Sequence, residues 1–189
     1  MINCTITGQK KGGVYCSSNS GIMLTNCILR ENSSNEISGR TDFVTVEYSN
    51  VKGGWLGLGN IDADPCFVDP GYWDANGTFA DTNDDYWVSG DYHLKSQGGR
   101  WDSNSQTWVI DDVTSPCINA GDPMTPIMYE PFPNGGIINI GAYGGTAEAS
   151  KSYFGEPPCE IVVAGDINGD CNVNFLDFRL MAFHWLEAH

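Results

Sequence analysis

The chain has 189 residues, enough for one good domain plus a small module. Its formal net charge is −15, from 9 Lys+Arg against 24 Asp+Glu, which argues against nucleic acid and anionic membrane surfaces as partners. Hydrophobic residues make up 41% and aromatics 12%, so the chain is not disordered overall, and no stretch is apolar for long enough to span a membrane.

The 23 Gly and 9 Pro predict many turns, and the count of Cys, 7, fits an oxidising compartment and leaves at least one thiol unpaired. Met1 opens directly onto "INCTIT", which reads as a strand, with no basic start and no apolar signal region. A secreted-looking composition without an export signal predicts the C-terminal piece of a longer protein.

Residues 1–58 hold a weak internal repeat: "NCTI" at Asn3, "NCIL" at Asn26 and "NVKG" at Asn50, at spacings of 23 and 24 residues. Short β-rich runs lie between, separated by Gly, Ser and Asn. A fixed period in this range marks a solenoid, and short strands without a leucine-rich pattern predict a parallel β-helix, one turn per repeat. Asn3, Asn26 and Asn50 would then form an asparagine ladder, each side chain bonding its neighbours, with Cys4 and Cys27 stacked beside it as inward thiols. The competing reading is an ordinary antiparallel β fold with chance spacing.

The period disappears over residues 59–150. This section is rich in Trp, Tyr, Asp and Asn, and it reads as loops and short strands that cap the solenoid. Trp73, Trp87, Trp101 and Trp108 are the candidates for stacking on sugar rings, although such aromatics more often anchor a loop-rich region. Asp74, Asn76, Asp81, Asn83, Asp84 and Asp85 fit no calcium-loop template and read as a solvated acidic turn. Cys66 and Cys117, each after a proline, are candidates for a disulfide. No catalytic constellation is visible: His93, His184 and His189 are scattered, and Arg100 and Asp102 are given no catalytic role.

Residues 151–164 read as a linker, and 165–189 as a calcium loop and helix. "GDINGDCNVNFLDF" places Asp166, Asn168, Asp170, Asn174 and Asp177 at loop positions one, three, five, nine and twelve, with the Asn172 carbonyl at seven. That spacing delivers the oxygens a hard cation wants, so Ca2+ is the expected cofactor. Position six, normally glycine, is Cys171, at a cost of about 1 kcal/mol. A Cys159–Cys171 disulfide would staple the linker to the loop and contribute up to about 3 kcal/mol. Beyond the loop, Phe178, Met181, Ala182 and Trp185 share one helical face.

Two resemblances follow from these motifs. The "NCTI" and "NCIL" rungs, with "GNIDADPCFVDP", "DYHLKS", "SPCINAGDP" and "INIGAYGGTAEAS", resemble the C-terminal end of secreted, planctomycete-like bacterial right-handed parallel β-helix proteins of the pectate-lyase-like superfamily. "GDINGDCNVNFLDFRLMAFHWLE" resembles one repeat of a type I dockerin, in which aspartate at position twelve is a family trait. The resemblances imply a mainly β fold. It comprises the last rungs of a β-helix, a loop-rich cap and a small α dockerin-like (EF-hand-like) module. They imply a secreted or cell-surface protein that binds or degrades polysaccharide and attaches through calcium to a cohesin-like partner. The alternative is a non-catalytic, adhesin-type β-helix stalk.

Overall fold

In the computed structural model, residues 1–17, 20–155, 165–167 and 172–185 are described, the last three for their backbone only. Residues 1–51 supply seven short strands: β1 (Thr5–Ile6), β2 (Val14–Cys16), β3 (Ile22–Thr25), β4 (Ile28–Leu29), β5 (Ile37–Gly39), β6 (Val44–Glu47) and β7 (Asn50–Val51). They form three small parallel sheets, ordered β1-β4-β7, β2-β5 and β3-β6. Paired residues lie 22 or 23 positions apart: Thr5 opposite Ile28, Ile28 opposite Asn50, Val14 opposite Ile37 and Ile22 opposite Val44.

A constant offset between short strands puts like residues over like. Val14 lies over Ile37, Leu24 over Val46 and Leu29 over Val51, and all six are buried. Each such side chain removed from water is worth about 1.5–3 kcal/mol. They form one core with Cys27, flanked by Cys4, Ile6, Ile22, Val44 and Trp55. Cys16 lies opposite Gly39, where a Cβ would meet the Cys16 carbonyl oxygen at 2.2 Å, so the strands approach too closely for any side chain there.

The register corrects the expected asparagine ladder. Asn50 lies opposite Ile28, so the residue two places before it, Tyr48, takes the position of Asn26 and Asn3. All three of these corner residues have left-handed backbones, at φ 50, 55 and 48° for Asn3, Asn26 and Tyr48. Asparagine tolerates that region because its short amide bonds locally. The side chains do not bond one another. Asn3 Nδ2 donates to the Gly144 carbonyl, Asn26 Oδ1 accepts the Asp122 N–H, and Asn50 Nδ2 donates to the Ala63 carbonyl. Asn3 and Asn26 therefore tie strand corners, and Asn50 ties strand β7, to the loop-rich region.

That region packs on the back of β4. Successive strand residues point to opposite faces, so Leu29 enters the first core while Ile28 enters a second one with Phe67, Leu94, Cys117, Ile118 and Ile140. Two antiparallel hairpins project from it. The first joins β8 (Tyr72–Asp74) and β9 (Tyr86–Val88), and the second joins β10 (Arg100–Asp102) and β11 (Thr107–Val109). The helix α1 (Phe175–Trp185) follows. The described chain is thus mainly β, with short strands in small parallel sheets, two hairpins and one short helix. Among the described residues no helix is long and apolar enough to cross a membrane. On α1, Phe178 and Met181, two members of the expected apolar face, are exposed.

Candidate functional site

The first hairpin builds the wall of a cavity. Trp73 and Trp87 face each other across β8 and β9, with ring centroids 5.5 Å apart at 70°. Edge-to-face pairs of this kind are worth about 0.5–1.5 kcal/mol beyond the area they bury. Two glycines fix the Trp87 indole. A Cβ on Gly8 would lie 2.2 Å from it, and one on Gly71 would lie 2.8 Å from Cζ2. Trp87 Nε1 donates to the Tyr92 hydroxyl at 3.0 Å, and Thr7 Oγ1 donates to the same oxygen at 3.0 Å. Burial pushes the Tyr92 phenol up, but these donors outweigh it and hold the group below its ordinary value. Phe67 packs edge-on against Tyr92 at 5.3 Å and is itself paired to Leu94 by an antiparallel bridge.

The cavity so formed has a volume of about 790 Å³, within the range typical of ligand sites. Trp73, Trp87, Tyr72 and Phe67 supply its aromatic lining, and Arg30, Lys95, Glu31, Asp64 and Asp112 its charge. Arg30 is held in place by two acceptors, Asn50 Oδ1 at 3.2 Å and Asp62 Oδ1 at 3.0 Å. Asp64 Oδ1 accepts the Cys66 N–H at 2.9 Å, which fixes that carboxylate at the rim. Cys66 has a left-handed backbone at φ 51°. Trp73 and Trp87 are legible as candidates in the sequence. Arg30, Asp64, Lys95 and Asp112 are not, because no local motif marks them.

The second hairpin repeats the aromatic pair in another setting. Trp101 and Trp108 stand 5.6 Å apart at 64°. The Lys151 ammonium covers Trp108 at 4.2 Å from the ring centroid. Arg100 forms a two-pronged pair with Asp111 at 3.1–3.2 Å, and Asp102 accepts the Ser105 hydroxyl at 2.6 Å. Arg100 and Asp102 therefore hold the hairpin's base and its turn. The acidic run of the first hairpin is likewise tied into its own turn: Asp74 accepts the Asn76 N–H, Asp81 the Asn83 N–H and Asp84 the Thr78 hydroxyl.

The expected Cys66–Cys117 bridge is not formed; both are free thiols, as are Cys4, Cys16 and Cys27. Cys117 is fully buried beneath Asn50, whose Nδ2 donates to its sulfur at 3.1 Å, while the Cys66 sulfur turns to the Asp64 carbonyl at 3.6 Å. Burial pushes the Cys117 thiol up to about 11. His93, scattered from any partner in sequence, is buried with Nδ1 at 2.5 Å from Asp91 and Nε2 at 3.3 Å from Glu148, and its ring stacks on Tyr143 at 3.6 Å. It ties Tyr143 and Glu148 to Asp91.

Of the expected calcium ligands, Asp166 and Asp177 are both buried. Asp177 lies in the first turn of α1 and accepts the N–H groups of Ile167 and Asn174 at 2.7 Å each. Asn174 Oδ1 accepts the Leu176 N–H, the role of a helix cap, and its Nδ2 donates to the Asn172 carbonyl at 3.4 Å. Asn168, Asp170, Cys159 and Cys171 lie outside the described residues. Among the described residues no three His, Cys, Asp or Glu side chains gather to hold a metal.

No curated protein and no solved structure matches the chain. The model of the family described as disaggregatase related matches residues 2–121, a span that takes in the stacked strands, both hairpins and the whole charged lining of the cavity. On that match, the chain belongs to the disaggregatase-related family.

Proposed function

We propose that the chain is a polysaccharide-binding protein that works outside the cell, with the glycan seated in the cavity beside the first hairpin. The observation that carries this is the fixed indole of Trp87, paired with Trp73, at a cavity that also holds carboxylates and an ammonium. Aromatic faces bury the apolar face of a sugar ring, and charged rims bond its hydroxyls. The three parallel sheets at a 22–23-residue offset support reading residues 1–58 as rungs of a right-handed parallel β-helix, with residues 59–150 as its cap. The test is binding to a panel of soluble polysaccharides by affinity electrophoresis. Trp73→Ala and Trp87→Ala should weaken retardation at least about tenfold, or ~1.4 kcal/mol, while Trp101→Ala leaves it unchanged. Equal retardation of all three folded variants and the parent would sink the assignment.

The tail, on this reading, is a dockerin-like calcium module that attaches the protein to a cohesin-like partner. Buried Asp166 and Asp177 support it. Calorimetric titration should give one calcium site in the intact chain, lost in Asp177→Ala. Absence of heat at millimolar calcium would remove the module.

A further inference from the structure

We infer that Arg30 contacts the ligand of the cavity, its free guanidinium edge taking two adjacent oxygens of a saccharide, and that Asn50 and Asp62 are the positioning residues that aim it; this rests on the saccharide reading above. Arg30 lines the cavity, and its side chain is only 15% exposed. Both hydrogens of Nη1 are engaged, one on Asn50 Oδ1 at 3.2 Å and one on Asp62 Oδ1 at 3.0 Å. Among the described residues nothing accepts from Nε or Nη2. The guanidinium is planar and trigonal, so the Nε–Nη2 edge lies opposite the clamped Nη1 corner. Its two parallel N–H groups match a pair of neighbouring oxygens, whether adjacent hydroxyls of a sugar ring or the two oxygens of a carboxylate.

The clamp is built into the fold. Asn50 is fully buried and uses all its bonding capacity. Its Nδ2 donates to the Ala63 carbonyl at 2.8 Å and to the Cys117 sulfur at 3.1 Å, and its Oδ1 accepts the Ala63 N–H at 3.3 Å as well as Arg30. The amide therefore has one orientation, with its oxygen towards Arg30. Asp62 is fixed in turn, because its Oδ2 accepts the Gly53 N–H at 3.1 Å. The Arg30 backbone is held by its own N–H bond to the Ile6 carbonyl at 3.2 Å. A long side chain anchored at both ends has lost its rotamer freedom before a ligand arrives, so binding does not incur that cost again. Asp62 alone answers the charge; the buried Asn50 oxygen adds direction.

The experiment is calorimetric titration of the full chain with neutral gluco-, xylo-, manno- and galacto-oligosaccharides and with an oligogalacturonate, which separate a diol from a carboxylate as the source of the paired oxygens. It is run on the parent, Arg30→Lys, Asp62→Ala and the double variant, with the Tm of each recorded. Arg30→Lys keeps the charge and loses the paired edge. It should weaken the tightest-binding probe at least about tenfold. Asp62→Ala changes a half-exposed side chain, so the fold survives it, and it should weaken the same probe at least about threefold. The two losses should fall short of additive, because Asp62 acts through Arg30. Lower Tm with unchanged affinity in both variants would make the clamp structural and overturn the inference, and fully additive losses would remove Asp62 as a positioning residue. Binding that Trp87→Ala abolishes while Arg30→Lys and Asp62→Ala leave it intact keeps the saccharide site and overturns the role of Arg30. Binding of none of the probes removes the saccharide reading, and this inference with it.

Discussion

The two hairpins carry the same cross-strand tryptophan pair in different surroundings. Trp73–Trp87 and Trp101–Trp108 differ by 0.1 Å in separation and by 6° in tilt. The difference lies in what covers each ring. Trp87 is seated on Gly8 and Gly71 and borders open space about 790 Å³ in volume, whereas Trp108 has an ammonium laid over it. An aromatic pair is thus a hairpin clasp by default, and it is free to meet a ligand only where the rest of the fold leaves a cavity beside it, which is what the proposed sugar site requires.

The largest effect that separates the two hairpins should come from the glycines beside them. Gly8 has φ 66° and Gly99 φ 116°, so an alanine is strained at either. At Gly99 the added methyl would lie 3.5 Å from Lys151 Cδ and 3.8 Å from Trp108, which is ordinary contact. At Gly8 it would lie 2.2 Å from the Trp87 indole. Backbone strain costs about 1–2 kcal/mol in both variants, and displacing Trp87 adds about 1–3 kcal/mol in Gly8→Ala alone. Gly8→Ala should therefore lower Tm by about 4–20 °C, more than Gly99→Ala, and should also alter the near-ultraviolet circular dichroism of the tryptophan pair. Equal Tm losses with an unchanged spectrum would mean that Gly8 does not seat the ring.

Much of the strand stacking is legible in the sequence, and the reason is local. Gly, Asn and Ser punctuate short apolar runs at a near-constant distance, and the pairings follow that distance to within two residues. The slip at Asn50 arises because asparagine identity sets one alignment of the repeat, whereas the chain aligns on the left-handed corner, which Tyr48 occupies ahead of β7. The cavity is half legible. Trp73 and Trp87 stand out by composition, but Lys95 is placed by the bridge of Phe67 to Leu94 and by its N–H bond to the Cys66 carbonyl, and Arg30 by the β4 register and its N–H bond to the Ile6 carbonyl. Pairings at such sequence distances leave no mark in a single sequence. The Cys66–Cys117 bridge fails for a related reason. Matching proline contexts suggest partners, yet one sulfur is buried under Asn50 and the other turns to its own loop.

The smallest expected effect concerns the cover of the second hairpin. Burial holds the Lys151 ammonium below its ordinary value of 10.5. The folded state therefore binds this proton less tightly than the unfolded chain, and stability rises with pH from the lowered value up to about 10.5. The contact with Trp108 opposes the penalty by about 0.5–1 kcal/mol, so Lys151→Met should change stability by less than about 1 kcal/mol near neutrality. The sharper readout is the difference in Tm between parent and variant across the alkaline range. The parent should gain on the variant as pH climbs towards the ordinary lysine value. A constant difference would place the ammonium in solvent, and the second hairpin would then be as open to a ligand as the first.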